Sequence, residues 1–165
     1  MRTRIWNELC QVKHNQYYCT FLLGRQKRLL NYFNIMILVF SSGGVMGFSL
    51  WKTFPLLSCF IISFFQILRL IQSNLVPSEK QIEKLEQVVN FYFDHFNLLE
   101  QQWFDCYHNR CNEQELQEKF FKLKSTEKEI NIKLNEIVKR SIKAIRMKAT
   151  EETANYLHQT YNIQT

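Results

Sequence analysis

From Leu29 to Leu50 the chain carries no charged residue over 22 positions, and after Trp51, Lys52 and Thr53 a second apolar run extends 18 residues from Phe54 to Ile71. A helix needs about 20 residues to cross a hydrocarbon core of roughly 30 Å, so each run is long enough to span a bilayer. Arg69, the only charge in the second run, lies near its end beside Gln66, and both can snorkel to the headgroups. Pro55 falls in the first turn of the second helix, where its missing N–H is harmless. The reading is a two-span transmembrane hairpin, 29–50 and 54–71. A soluble hairpin would need its remaining helices to wrap two wholly apolar ones on every side, and those helices are only striped. A cleaved signal peptide fits poorly, because the run begins 28 residues in, is too long and lacks a small-residue cleavage site.

The rest of the chain is written for helices. Glycine ends at Gly47 and proline at Pro77, and the following 88 residues contain neither. Tight hairpins, phosphate-cradling loops and β-bulges draw on glycine's conformational freedom, so a Rossmann domain, a P-loop enzyme or a many-stranded β domain is excluded. The fold class is all-α: a two-span hairpin followed by long cytoplasmic coiled-coil-like helices.

Charge sets the expected orientation. Lys13, Arg25, Lys27 and Arg28 precede the first run, whereas the tip between the runs offers only Lys52. The positive-inside rule then places both termini in the cytoplasm of a cell whose inner membrane holds the hairpin. Arg25, Lys27, Arg28, Trp51, Lys52 and Arg69 are the expected headgroup contacts. The five cysteines are an odd number without repeating spacing, which suits reduced thiols. Within the bilayer Gly43 and Gly47 form a GxxxG pair extended by Ser42 and Gly44, and Cys59 and Ser63 repeat the spacing in the second span. Small residues let helices approach closely, either within the hairpin or between subunits.

Past Pro77, Ser78 and Gln81 form a capping-box signature. Ile82, Leu85, Val89, Tyr92, Phe96, Leu99, Trp103 and Cys106 then alternate at spacings of three and four, a heptad seam that needs a partner. Asn112 and Glu115 make a second box ahead of Leu116, Phe120, Leu123, Glu127, Ile130, Leu134, Ile137, Ser141 and Ala144, a seam that Glu127 and Ser141 interrupt. Thr126 with Glu129 could restart the helix. The link 108–112 reads as the turn of an antiparallel pair, with one long helix as the alternative. Residues 77–149 are thus a helical pair or coiled coil, within or between chains, and 150–165 a polar tail. Residues 1–28 form a basic amphipathic juxtamembrane helix. Ile5, Leu9, Val12, Tyr17, Tyr18, Phe21 and Leu22 would lie on the leaflet, or the segment continues the first membrane helix.

Chemistry is sparse. Cys106, His108 and Cys111 are the one cluster of metal-ligand types, and it lacks the second half of a zinc site. Asp94 and His95 point to different sides of a helix and form no dyad. The basic run Lys139, Arg140, Lys143, Arg146 and Lys148 has no interleaved aromatics, so nucleic acid is not an expected partner. The reading is of no enzyme, no cofactor and no metal.

The order of parts resembles the SMODS- and SLOG-associating two-transmembrane effector family (SLATT). The aromatic approach Tyr17-Tyr18-Cys19-Thr20-Phe21, the basic Arg25-Gln26-Lys27-Arg28, two spans with a three-residue link and a long helix from near Pro77 carry the resemblance over residues 15–125. It implies a bacterial anti-phage effector that oligomerises and permeabilises the membrane on a cytoplasmic trigger. The partner would be a separately encoded nucleotide-signal synthase, sensor or reverse transcriptase. The alternatives are a passive two-span anchor whose coiled coil recruits a cytoplasmic partner, or a small channel subunit.

Overall fold

The computed structural model describes residues 1–41, 60, 63–64, 66–67, 70, 76–108, 110, 112–138 and 141–161. Four helices have both ends among the described residues: α1 (Arg2–Ser41), α2 (Glu79–Tyr107), α3 (Glu113–Ile137) and α4 (Lys143–Tyr161). No strand occurs among the described residues, and the all-α expectation holds. Two compact units divide the chain, one of Met1–Leu23 with Glu83–Thr165 and one of Gly24–Ile82.

The first unit is a four-helix bundle whose directions follow from its contacts. Trp6 meets Trp103 and Lys13 meets Phe96, so α1 and α2 are antiparallel. Tyr92 bonds Asn131 and Lys84 pairs with Glu136, so α2 and α3 are antiparallel as well. Arg4 over Phe120 and Glu8 against Lys124 align α3 with α1. Tyr18 at Ile142 and Trp6 at Tyr161 return α4 against α1. Up-down-up-down is the simplest bundle topology, with each helix beside the next in the chain. The core joins Ile5, Leu9, Val12, Leu85, Val88, Tyr92, Phe96, Leu99, Leu116 and Phe120, among others.

Several expectations change here. Within residues 1–28, Ile5, Leu9, Val12, Cys19 and Leu22 are buried in the bundle. The segment runs unbroken into the first apolar run, as the alternative reading had it, since α1 continues to Ser41. The seam of α2 closes within one chain. Leu85, Tyr92, Phe96, Leu99 and Cys106 are buried, Val89 and Trp103 half-buried, and Val88 and His95 widen the stripe. That is the broad face of a bundle helix rather than the narrow seam of a coiled coil. α2 ends at Tyr107 with a turn at His108, α3 begins after Asn112, and α3 passes Thr126 without restarting. The long seam breaks after Ile137, and α4 begins anew at Lys143. Residues 150–161 are no polar tail but the last three turns of α4, with Thr153 and Leu157 buried.

In the second unit, Ser78 N–H donates to Gln81 Oε1 at 3.0 Å and Gln81 N–H to Ser78 Oγ at 3.3 Å, the reciprocal capping box at the start of α2. Asn112 caps α3 in extended conformation without a side-chain bond. No helix among the described residues is long and apolar enough to cross a membrane. The two-span hairpin therefore finds no support in a described span, and most of 42–75 lies outside the described residues.

Candidate functional site

Polar groups enter the bundle at two places, and burial makes both consequential. At the first, α1 presents Glu8, 8% exposed, and α3 presents Glu127, 7% exposed, at a position its apolar periodicity reserves for a hydrophobe. Lys124, one turn before Glu127, keeps its stem on the surface and sets its ammonium 2.5 Å from Glu8 Oε2. Burial, followed by the nearby Glu8 charge, pushes the Glu127 carboxyl above the usual range. From α2, His95 reaches the same cluster with 3% exposure, its ring 5.1 Å from that of Phe91 and its Nε2 without a partner. Burial holds His95 below its ordinary value, the Glu8 charge opposing and Lys124 reinforcing. Tyr92 donates to Asn131 Oδ1 at 2.8 Å, and burial raises its phenol.

At the second place Lys13 is caged by aromatic faces. Its Nζ stands 3.8 Å from the Tyr156 centroid, 4.1 Å from Phe96 and 5.1 Å from Tyr17. Burial lowers the Lys13 amine, and the Glu100 carboxylate opposes that shift. Glu100 also accepts hydrogen bonds from Tyr161 at 2.6 Å and Tyr156 at 3.1 Å. Trp6 packs between Trp103, at 5.0 Å, and the edge of Tyr161, at 5.1 Å. These contacts fasten the end of α4, whose own buried residues are small or few.

Elsewhere the bundle offers little chemistry. An open cleft of about 360 Å³ lies between α2 and α3, with Leu98 and Asp105 on one wall and Lys119, Lys122 and Leu123 on the other. The Cys19 thiol, pushed by burial up to about 12, stays protonated and is no nucleophile. Asp94 is exposed where His95 is buried. No group of three or more His, Cys, Asp or Glu side chains among the described residues could hold a metal ion.

The second unit shows a different surface. Tyr32, Ile35, Leu38 and Val39 of α1 are exposed, and so are Phe60, Phe64, Ile67 and Leu70, which are helical. Phe60 and Leu70 are each 80% exposed. Water-facing surfaces rarely gather so many large apolar side chains.

Among the residues expected from sequence to pack in the membrane, Ser63 is exposed, while Ser42, Gly43, Gly44, Gly47 and Cys59 lie outside the described residues. Of the headgroup set, Arg25, Lys27 and Arg28 are exposed, with Arg28 Nε donating to the Gly24 carbonyl at 3.2 Å. Trp51, Lys52 and Arg69 lie outside the described residues. Neither polar cluster was expected from sequence. The available signal was Glu127 on a seam, first read as an interruption. Compared with protein-family models, with curated proteins and with solved structures, the chain matches none.

Proposed function

We propose that the chain is a two-span inner-membrane protein whose cytoplasmic bundle governs a membrane-disrupting response, as the resemblance to SLATT effectors implies. The observation that carries the membrane part is the exposed apolar row Phe60, Phe64, Ile67 and Leu70, with Tyr32, Ile35, Leu38 and Val39 on α1. Lipid tails are the solvent in which such side chains cost nothing to expose. The uncharged run 29–50 and its successor 54–71 supply the length, and the basic residues before them support an orientation with both termini in the cytoplasm. A separately encoded sensor or signal synthase would supply the trigger, and subunits would meet through the small residues Gly43 and Gly47 rather than through α2.

Closure of the α2 seam within one chain favours a second reading. A self-contained bundle on two spans is also what a passive anchor needs to recruit a cytoplasmic partner. Membrane potential separates the two. The chain is expressed alone and with its genomic neighbours under phage challenge. Depolarisation that depends on the chain is the effector's result, and an unchanged potential under every condition leaves the anchor.

A further inference from the structure

The cluster at Glu8 has an odd charge count. Two buried carboxyls, Glu8 on α1 and Glu127 on α3, face one ammonium, Lys124, which bonds Glu8 from one turn before Glu127. With both carboxyls ionised the site would carry a net negative charge, and two acceptors would face each other without a proton between them. Two buried carboxyls beside a single ammonium resist ionising together. Of the other charged or titratable neighbours, Arg4, one turn before Glu8, lays its guanidinium over Phe120 and Phe121 at the surface, His95 is itself buried, and Tyr92 from the same helix is a neutral phenol. The buried face of α4, Ile145, Ala149, Thr153 and Leu157, carries no charge.

We propose that Glu8 and Glu127 form a proton-binding site that locks α1 to α3, with Glu127 as the acid that donates to the Glu8 carboxylate while Lys124 holds Glu8 from the other side. The ligand is H⁺, and its loss is the unlocking event. Balance is simple: the proton leaves Glu127 for solvent, and the site goes from neutral to one negative charge. The proposal does not rest on the membrane reading.

The direction of the pH effect follows from linkage. A carboxyl whose folded value is raised binds more proton in the folded state, so its contribution to stability is lost as pH rises from the ordinary carboxylate range through the folded value. His95 acts oppositely. Its folded value is lowered, so stability is lost as pH falls from about 6.5, its ordinary value. The bundle is therefore tightest on the acid side of neutrality, and alkalinisation loosens the α1–α3 contact.

The test uses the full chain in detergent micelles. At neutral pH the wild type should show the infrared carbonyl stretch of a protonated, buried carboxylic acid, and Glu127→Gln should lack it. The melting midpoint of the wild type should fall as pH rises above the ordinary histidine value of about 6.5, where only the Glu127 contribution is still changing. Glu127→Gln keeps an N–H donor for Glu8 without a titrating group, so its midpoint should be flatter and higher than the wild type's at alkaline pH. Glu8→Gln removes the repulsion that retains the proton and should also abolish the band at neutral pH. This second variant and the wild-type spectrum decide the matter if Glu127→Gln does not fold. A wild type without the protonated-carboxyl band, or a Glu127→Gln protein with the wild-type pH slope, overturns the proposal.

Discussion

Lys13 shows how a charge can sit in an apolar bundle without a salt bridge. Its ammonium lies over Tyr156, Phe96 and Tyr17, and the carboxylate charge that acts on it is Glu100, which itself accepts hydrogen bonds from two tyrosine hydroxyls. The ring quadrupoles replace part of the hydration that burial removes, and each such contact is worth about 0.5–2 kcal/mol depending on desolvation. The cage ties α1 and α2 to α4, so its worth should appear as coupling between residues 13 and 156. A double-mutant cycle of Lys13→Gln and Tyr156→Leu, read by chemical denaturation, should give a coupling of about 0.5–2 kcal/mol. Each single variant should also speed amide exchange in the last turns of α4. A coupling indistinguishable from zero would mean that the tyrosine covers Lys13 without holding it.

At the scale of elements, what could be read in advance depended on how apolar the buried stripe was. The start of α2 was legible from Pro77 and the Ser78–Gln81 pair, and both capping bonds are formed. Ser78→Ala removes one of them and should destabilise the first turn of α2 by about 1 kcal/mol, visible as faster exchange of the amides at 79–82 and unchanged exchange in mid-helix. Equal protection in both proteins would leave the cap without energetic weight. The buried stripe of α2, rich in Leu, Tyr and Phe, was equally plain, but its partner was not. Along α1 the register Ile5, Leu9, Val12, Gln16, Cys19 keeps spacings of four and three, yet Gln16 and Cys19 do not announce a core. Gln16 even keeps Oε1 buried without a partner. In α4 the inward positions Ile145, Ala149, Thr153 and Leu157 recur every four residues, with two small side chains among them. Thr153 satisfies its hydroxyl on the Ala149 carbonyl at 2.6 Å, which lets a polar residue face inward. Polarity alone made that helix look like a tail. The buried carboxyl pair was illegible for a further reason: Glu8 and Glu127 are 119 positions apart, and only the parallel run of α1 and α3 brings them together.

For the molecule as a whole, closing the seam inside one chain changes what its mutation should do. Asparagine at Leu85 and Leu99 puts polar groups into buried sites at a cost of roughly 1–3 kcal/mol each, so the double variant should melt at lower temperature or unfold. Loss of cross-linked species with an unchanged melting curve would return the seam to an interface between chains. The apolar surface of the second unit bears on a different question, the solvent it faces. Phe60 is 80% exposed, and tryptophan preserves its aromatic bulk while adding a fluorophore. In liposomes containing brominated phospholipid, Phe60→Trp should show quenching beyond that of the parent, whose own Trp6, Trp51 and Trp103 set the background. An aqueous quencher such as iodide should add nothing. Gln66 is also exposed, so Gln66→Trp places the same probe near the end of the second run, where snorkelling toward the headgroups predicts weaker quenching by acyl-chain bromines. Strong iodide quenching at position 60 with none by brominated lipid would put this row of phenylalanines in water. The membrane reading would then fail, because the exposure of this apolar row is the observation that carries it.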